Sequence, residues 1–249
     1  RTVNFFDNSD TVNNAFRWDY LQDCQATNVP CISDGTTDAF DGALVFAIDG
    51  NLIPFPLNTS QCPFSPSSNN TLQLGPITQT ESGTNNNFTV TRRLTIFNGI
   101  PGLREITTIQ NISPNTITIQ LQYASNLGSD TQTTWRSSLS GTLPPTANDC
   151  WFTSSYLTAI FPGNDPPLSF ILCGTVGVRP SVLISAPPNV PLANGTDNII
   201  WAFDLTLQPN EIQSIMYFVA QNHNVSEATQ IASLYYNVPP QILTGYSLQ

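Results

Sequence analysis

The sequence contains no lysine, and its seven basic residues are all arginine. Only 10% of its residues are charged, against about a quarter in an ordinary soluble protein. Because the formal net charge is −10, the chain lacks the basic surface that binding to nucleic acid requires, and nucleic acid is not expected as a partner. Attraction to an anionic membrane surface is disfavoured for the same reason.

Histidine and long apolar runs are also scarce. His223 is the only histidine and the cysteines show no zinc spacing, so a structural zinc site is not expected. The longest apolar run, Ala43 to Ile48, has the length of a strand and not of a membrane span. No signal peptide precedes Arg1, which we interpret as the start of a mature secreted protein after cleavage; we therefore expect an extracellular or cell-surface protein.

Alternation of apolar and polar residues is clearest between Asn87 and Asp130. In its last strand, Ile117, Ile119, Leu121 and Tyr123 alternate with polar residues. A period of two predicts strands with one face in a core and the other in water. Three strands in succession, two of them joined by short turns, predict a β-meander around which the rest of the chain is organised.

The whole chain is predicted to be all-β, an antiparallel β-sandwich of Ig-like or jelly-roll-like type. Residues 1–40 form an N-terminal segment and residues 41–249 the sandwich, or two packed subdomains, about 41–85 and 86–249. Two long strands, Ile199 to Leu207 and Glu211 to Gln221, are predicted to form a hairpin. One short C-terminal helix is predicted after Asn224, which serves as its N-cap with Glu227 three residues on.

Five cysteines are typical of an exported protein with disulfides. An even subset would pair, leaving one free or bonded between subunits. The candidates are Cys150 and Cys173, on neighbouring strands, and Cys24, Cys31 and Cys62, in the N-terminal third.

Six asparagines begin the sequence N-x-S/T, a number expected by chance in a chain so rich in Asn, Ser and Thr. They are interpreted as polar surface or, in an exported protein, as glycosylation sites. These asparagines are Asn58, Asn69, Asn87, Asn111, Asn194 and Asn224.

Residues Arg92 to Tyr235 contain a series of motifs that resembles a β-sandwich module of large secreted bacterial surface proteins. The motifs are L-R-x-I-T-T-I-x-N-x-S-x-N-x-I-T-I (Leu103 to Ile119), N-L-G-S-D (Asn126 to Asp130), and M-Y-F-V-x-Q before a short helix. The resemblance implies a surface or adhesive building block and supplies no catalytic residues.

A looser resemblance is to pilus-like subunits of extracellular filaments, in which a terminal strand of one subunit completes the sheet of the next. It implies a homopolymer of copies of this chain. The absence of lysine excludes Lys–Asn isopeptide bonds and lysine-linked sortase polymerisation, so the fibril would be non-covalent. The donor strand predicted on this basis comprises Thr2, Val3, Asn4, Phe5 and Phe6.

Candidate chemistry is sparse. Asp34, Asp38 and Asp41 could contribute to a calcium site, although aspartates in turns explain them more simply. Other acidic residues, which a glycosidase would need as a pair, show no pairing in the sequence: Glu105, Asp130, Asp149 and Asp204. Four tryptophans are interpreted as core more readily than as sugar-stacking platforms: Trp18, Trp135, Trp151 and Trp201.

The sequence therefore predicts a structural subunit of an extracellular filament or surface assembly, glycosylated and polymerising by strand addition. It is expected not to be an enzyme and to need no cofactor beyond the calcium considered above. The alternative is a secreted carbohydrate-binding module or carbohydrate-active enzyme, with polysaccharide as partner.

Overall fold

The computed structural model confirms an all-β sandwich with one short helix. The structure describes residues 2–6, 17–21, 31–33, 40–53, 70–80, 87–96, 102–128, 132–157, 165–185 and 197–237. Among them, residues 2–6, 17–21, 31–33, 41 and 70–80 are described only as members of their strands.

The larger sheet of the sandwich has seven antiparallel strands. In spatial order they are β11 (Thr133–Ser138), β12 (Trp151–Tyr156), β13 (Leu168–Ile171), β16 (Ile212–Gln221), β9 (Leu103–Asn111), β8 (Asn87–Ile96) and β7 (Asn70–Thr80).

The second sheet has five strands, also antiparallel. In spatial order they are β14 (Val182–Ser185), β15 (Asn198–Leu207), β10 (Ile117–Asn126), β5 (Val45–Ile48) and β6 (Asn51–Leu52).

A small third sheet of four strands precedes the sandwich in the chain. It contains β1 (Thr2–Phe6), β2 (Arg17–Leu21), β3 (Cys31–Ser33) and β4 (Asp41–Ala43). The apolar run from Ala43 to Ile48, which has the length of one strand, is divided between β4 and β5. Leu44 lies between the two strands with a φ angle of 59°, and this left-handed conformation breaks the extended chain there.

The core lies between the five- and seven-stranded sheets and contains the apolar halves of their alternating strands. Tyr123 of β10 stacks on Trp201 of β15, with 5.7 Å between ring centroids. Tyr217 of β16 meets both rings edge-on from the opposite sheet. Trp201 is fully buried, Trp151 is 8% exposed and Trp135 packs against the core, which agrees with the core interpretation for these three residues. The side chain of Trp18 lies outside the described residues.

The meander and the C-terminal hairpin were predicted with the wrong pairing. β8 and β9 pair with each other, but β10 crosses to the five-stranded sheet and pairs with β15 and β5. Likewise β15 and β16 lie in different sheets, although the link between them is short. The alternation of apolar residues determines which side chains face the core but not which strands pair with each other. A short link can therefore join strands of two different sheets as well as adjacent strands of one sheet.

The helix α1 (Val225–Tyr236) was predicted correctly. The side chain of Asn224 accepts a hydrogen bond from the backbone of Glu227 at 2.9 Å, and the Glu227 carboxylate accepts one from the backbone of His223 at 2.8 Å. Its apolar stripe packs on the outward side of the seven-stranded sheet, where Tyr235 meets Phe218. No helix in the described ranges is long and apolar enough to span a bilayer.

Candidate functional site

The acidic residues considered in the sequence lie in separate places. Glu105 is buried between the sheets, Asp149 is buried in the loop before β12, and Asp204 is exposed on the outward face of β15. Asp130 lies outside the described residues. The three described carboxylates therefore do not form a pair across a cleft.

Glu105 belongs to a buried polar network in the core. Its carboxylate accepts two hydrogen bonds from the Arg92 guanidinium, at 2.6 and 2.8 Å, and one from the Tyr217 hydroxyl at 2.5 Å. Arg92 also donates to the Leu44 carbonyl at 2.8 Å. Burial, followed by the negative charge of Glu105, raises the pKa of Tyr217 well above its ordinary value. This network is sealed from solvent and links three strands of the seven-stranded sheet to the backbone just before β5, so it serves the packing of the sandwich.

Asp149 organises the loop between β11 and β12. Its carboxylate accepts backbone hydrogen bonds from Ser140 at 2.7 Å and from Thr146 at 2.9 Å. Burial alone would raise the pKa of Asp149, but these hydrogen bonds outweigh it, and the pKa lies below its ordinary value. The carboxylate of Asp149 therefore stabilises the conformation of this loop.

Asn111, one of the six sequon asparagines, is fully buried. Its side-chain amide donates to the carbonyls of Asn115 and Leu207, at 2.7 and 3.1 Å. Its backbone exchanges hydrogen bonds with Asn210 and Glu211 in the link between β15 and β16. Asn111 therefore ties together the two crossovers between the sheets, and a glycan on its amide is incompatible with this packing.

The other sequon asparagines have different surroundings. Asn224 is exposed and caps α1 through its side-chain oxygen, which leaves its amide nitrogen available. Asn87 is half-buried at the start of β8. Asn58, Asn69 and Asn194 lie outside the described residues, and glycosylation stays a prediction.

Cys150 and Cys173 form a disulfide, with 4.9 Å between their Cα atoms. It joins the start of β12 to the segment that follows β13, and Leu172 donates to the Cys150 carbonyl beside it. Cys24 and Cys62 lie outside the described residues, as does the side chain of Cys31 in β3.

The calcium prediction falls largely outside the described residues. This applies to Asp34, Asp38 and the side chain of Asp41. In the described part of the chain no cluster of His, Cys, Asp and Glu residues could hold a metal ion. The calcium site stays a prediction.

The predicted donor strand is paired within its own chain. β1 lies antiparallel to β2, with Thr2 opposite Leu21 and Phe6 opposite Arg17. Its insertion into a neighbouring subunit stays a prediction.

The outward side of the five-stranded sheet carries a connected group of polar side chains, which we call the polar face. Alternate residues of β10 and β15 point to this side, and their register places polar residues opposite one another. The polar face comprises Thr118, Gln120, Gln122, Asp204, Thr206 and, in the turn after β5, Asp49.

Hydrogen bonds hold the side chains of the polar face in one arrangement. Gly50 donates its backbone N–H to the Gln122 amide oxygen at 3.1 Å, and Gln122 donates to Gln120 at 2.6 Å. Gln120 in turn donates to the Asp204 carboxylate at 2.8 Å. Each amide keeps a second N–H, and Asp204 is exposed, so donors and acceptors remain available to a ligand.

A different feature, which we call the cleft, lies where both sheets are incomplete. β13 pairs with β16 only through Phe218–Gln221, and β14 pairs with β15 only through Ile199–Ala202. In the described part of the chain, no strand flanks the remainder of β15 or β16 on that side. A pocket of about 290 Å³ opens there, lined by Leu172, Cys173, Gly174, Val176, Gly177, Val178, Phe203, Ser214, Ile215 and Met216.

No protein-family model matches the chain, and no curated protein matches it. Solved structures with a similar fold include a polysaccharide lyase, with 11% identity over 93% of this chain and 34% of the lyase, and a TM-score of 0.48. Heparan sulfate lyase HepC from Pedobacter heparinus gives 11% identity over 90% of this chain and 35% of its own, with a TM-score of 0.44. A protein described as a kojibiose phosphorylase from the human microbiome gives 11% identity over 99% and 32%, and a TM-score of 0.44.

The chain spans about a third of the length of these three proteins. The expectation that it is not an enzyme does not stand, because the proteins that it resembles in structure are described as enzymes. At such identities and TM-scores the similarity identifies no activity for this chain. The resemblance to N-L-G-S-D surface modules stays a prediction.

Proposed function

We propose that the protein is a secreted β-sandwich domain that binds polysaccharide on its polar face. The observation that carries the proposal is the hydrogen-bonded series from Gly50 through Gln122 and Gln120 to Asp204 on an exposed sheet surface. Sugar hydroxyls both donate and accept hydrogen bonds, and amide and hydroxyl side chains do the same. Side chains already fixed by their neighbours lose little conformational entropy when a ligand binds.

The geometry of two adjacent strands supports an extended ligand. Alternate residues of one strand lie about 6.8 Å apart, and neighbouring strands about 4.8 Å apart. Thr118, Gln120 and Gln122 therefore span about 14 Å along β10, beside Asp204 and Thr206 on β15. A polar strip of this length fits a sugar chain better than one ring.

A secreted location is part of the proposal. The disulfide between Cys150 and Cys173 supports it, because disulfides persist mainly in oxidising compartments.

The test is a glycan array probed with the wild-type protein and with the double variant Gln120→Ala/Gln122→Ala. We expect wild-type binding to at least one polysaccharide and a loss of about tenfold or more in the variant, because two neutral hydrogen-bonding groups are removed. The matched control is Thr108→Ala/Ser214→Ala, an exposed pair at 2.9 Å on the outward side of the other sheet. Equal binding by all three proteins would refute the proposal.

A second candidate function, assembly by strand addition, is favoured by the cleft. Among the described residues no strand flanks the remainder of β15 or β16 on this side, so their backbone can form hydrogen bonds with an added strand, and the apolar lining can accept its alternate side chains. Two exposed residues, Val176 and Val178, stand at the rim, at 99% and 65% exposure. The donor in this proposal is the β1 segment of another copy.

Sedimentation velocity tests assembly with the full chain. We expect concentration-dependent oligomers from the wild type and their loss in Val176→Glu/Val178→Glu, since burying two carboxylates in the contact is unfavourable. Leu157→Glu, at another exposed apolar position, should leave assembly unchanged. A monomeric wild type at all concentrations would rule the candidate out.

A further inference from the structure

The polar face continues into an apolar patch on the same side of the five-stranded sheet. Leu183 of β14 and Trp201 of β15 lie opposite each other and point into the core. Because side chains alternate along a strand, their chain neighbours point outward. These neighbours, which we call the apolar patch, are Val182 and Ile184 of β14 and Ile200 and Ala202 of β15.

The apolar patch is accessible from solvent. Ile184 is 50% exposed, and Val182 and Ile200 are half-buried. These three side chains do not belong to the hydrophobic core formed by the described residues. A ligand that covers them removes apolar surface from water, which favours binding.

The apolar patch and the polar face meet along a boundary that crosses the sheet. On β15 the boundary lies between Ala202 and Asp204, and Gln122 of β10 pairs directly with Ala202. The Gly50 N–H holds Gln122 in place by donating to its amide oxygen at 3.1 Å. Val182 pairs with Ala202 on the other side, so its backbone lies two strand spacings, about 10 Å, from that of Gln122. A ligand group at this boundary therefore meets an amide on one side and aliphatic side chains on the other.

From this juxtaposition we propose that the ligand of the polar face is an N-acetylated polysaccharide, with acetamide groups bound at the boundary. This inference rests on the proposed function and specifies its ligand class. An acetamide group contains an N–H donor, a carbonyl acceptor and a methyl group. The Gln122 amide keeps a second N–H and a second lone pair on its oxygen for the polar atoms, and the apolar patch covers the methyl group.

The methyl group distinguishes this ligand from a polysaccharide that carries only hydroxyl groups. A hydroxyl at the same position can bond to Gln122, but it leaves the apolar patch in water. Burial of one methyl group favours binding by about fourfold, and burial of two by about 15-fold. We therefore expect an N-acetylated chain to bind more tightly than an unacetylated chain with the same backbone.

The test compares two probes that share a backbone. Chitohexaose and cellohexaose are both β-1,4-linked hexasaccharides, and carbon 2 of each unit carries an acetamide group in the first and a hydroxyl in the second. Isothermal titration calorimetry of the full chain measures both affinities. We expect chitohexaose to bind more tightly by a factor of about 4 to 15. On the glycan array, the polysaccharides that bind should be N-acetylated ones.

Variants assign this preference to the apolar patch. Ile184→Ser should bring the two affinities within about twofold of each other by weakening chitohexaose binding alone, because it removes the surface on which the methyl group packs. Ile184→Leu keeps the aliphatic surface and should retain the preference. The matched control is Ile212→Ser, which replaces an exposed isoleucine on the outward side of the other sheet and should change neither affinity.

The outcomes separate the inference from the proposed function. Equal affinity for the two hexasaccharides, a preference unchanged by Ile184→Ser, or binding only to unacetylated polysaccharides would overturn the N-acetyl inference. Polysaccharide binding at the polar face stands in each of these cases if Gln120→Ala/Gln122→Ala abolishes it. Binding to no polysaccharide, or binding unaffected by that double variant, would overturn the proposed function and the inference together.

Discussion

Replacing Glu105 by glutamine should strongly destabilise the sandwich, because it leaves a buried arginine without its counter-charge. Arg92 is 1% exposed and Glu105 is fully buried, and two hydrogen bonds join them. Removing one member of a buried ion pair typically costs about 3–5 kcal/mol. Arg92 keeps its bond to the Leu44 carbonyl and its position 4.9 Å from the Phe46 ring, so we expect the lower end of that range, about 3 kcal/mol.

The assay is urea denaturation of the wild type, Glu105→Gln and the double variant Arg92→Met/Glu105→Leu. A loss of about 3 kcal/mol is read directly from the urea curves, and in a thermal experiment it corresponds to a fall in Tm of about 6–12 °C for a chain of this size. The double variant removes both charges and should recover most of the loss, since apolar replacements of buried pairs are often neutral or stabilising. A cost below about 1 kcal/mol for Glu105→Gln, or a double variant less stable than the single one, would refute this account of the network.

Three further predictions concern the fold. Replacing Cys150 and Cys173 by serine removes a link between positions 23 apart and should cost about 3 kcal/mol in denaturation experiments; no change would contradict a stabilising role. Asp149→Ala should lower the free energy of unfolding by about 2–3 kcal/mol, because charged hydrogen bonds are lost. Since folding lowers the pKa of Asp149, its contribution to stability is present above about pH 4 and fades as the pH falls further. The stabilities of wild type and variant should therefore converge in acid. Since folding raises the pKa of Tyr217, its contribution is complete below about pH 10 and is lost as the pH rises further. The phenolate absorbance of Tyr217, taken as the difference between the wild type and Tyr217→Phe, would contradict this if it appeared well before unfolding.

Much of the fold could be predicted from the sequence because alternation is a local property. The predicted apolar pattern is found in five strands, β8, β9, β10, β15 and β16, and the capping residues of α1 predict the helix. The strand β12 (Trp151–Tyr156) carries a weaker apolar pattern. Thr153 and Ser155, which alternate along β12, are polar but buried. They lie on the side of the sheet that α1 covers, and Ser155 also accepts a hydrogen bond from Arg136. The apolar pattern is therefore interrupted in this strand.

The candidate site was less predictable, since it depends on pairing between distant segments. Gln120 and Gln122 are recognisable from the sequence as the polar side of a strand, but their neighbour Asp204 is more than 80 positions away. Asn111 is a second residue whose role depends on contacts between distant segments, and here the local sequence points to the wrong environment. Its sequon is a surface signal, and only the meeting of the two crossovers makes it a buried structural residue.

The most direct test of polysaccharide binding at the polar face is a heteronuclear NMR titration of the full chain with the best ligand from the glycan array. We expect the side-chain amide signals of Gln120 and Gln122 to shift with the same saturation curve, together with the backbone signals of Thr118 and Asp204. Shifts confined to the cleft or to the outward side of the seven-stranded sheet would contradict it, as would saturable binding that leaves both glutamine side chains unmoved.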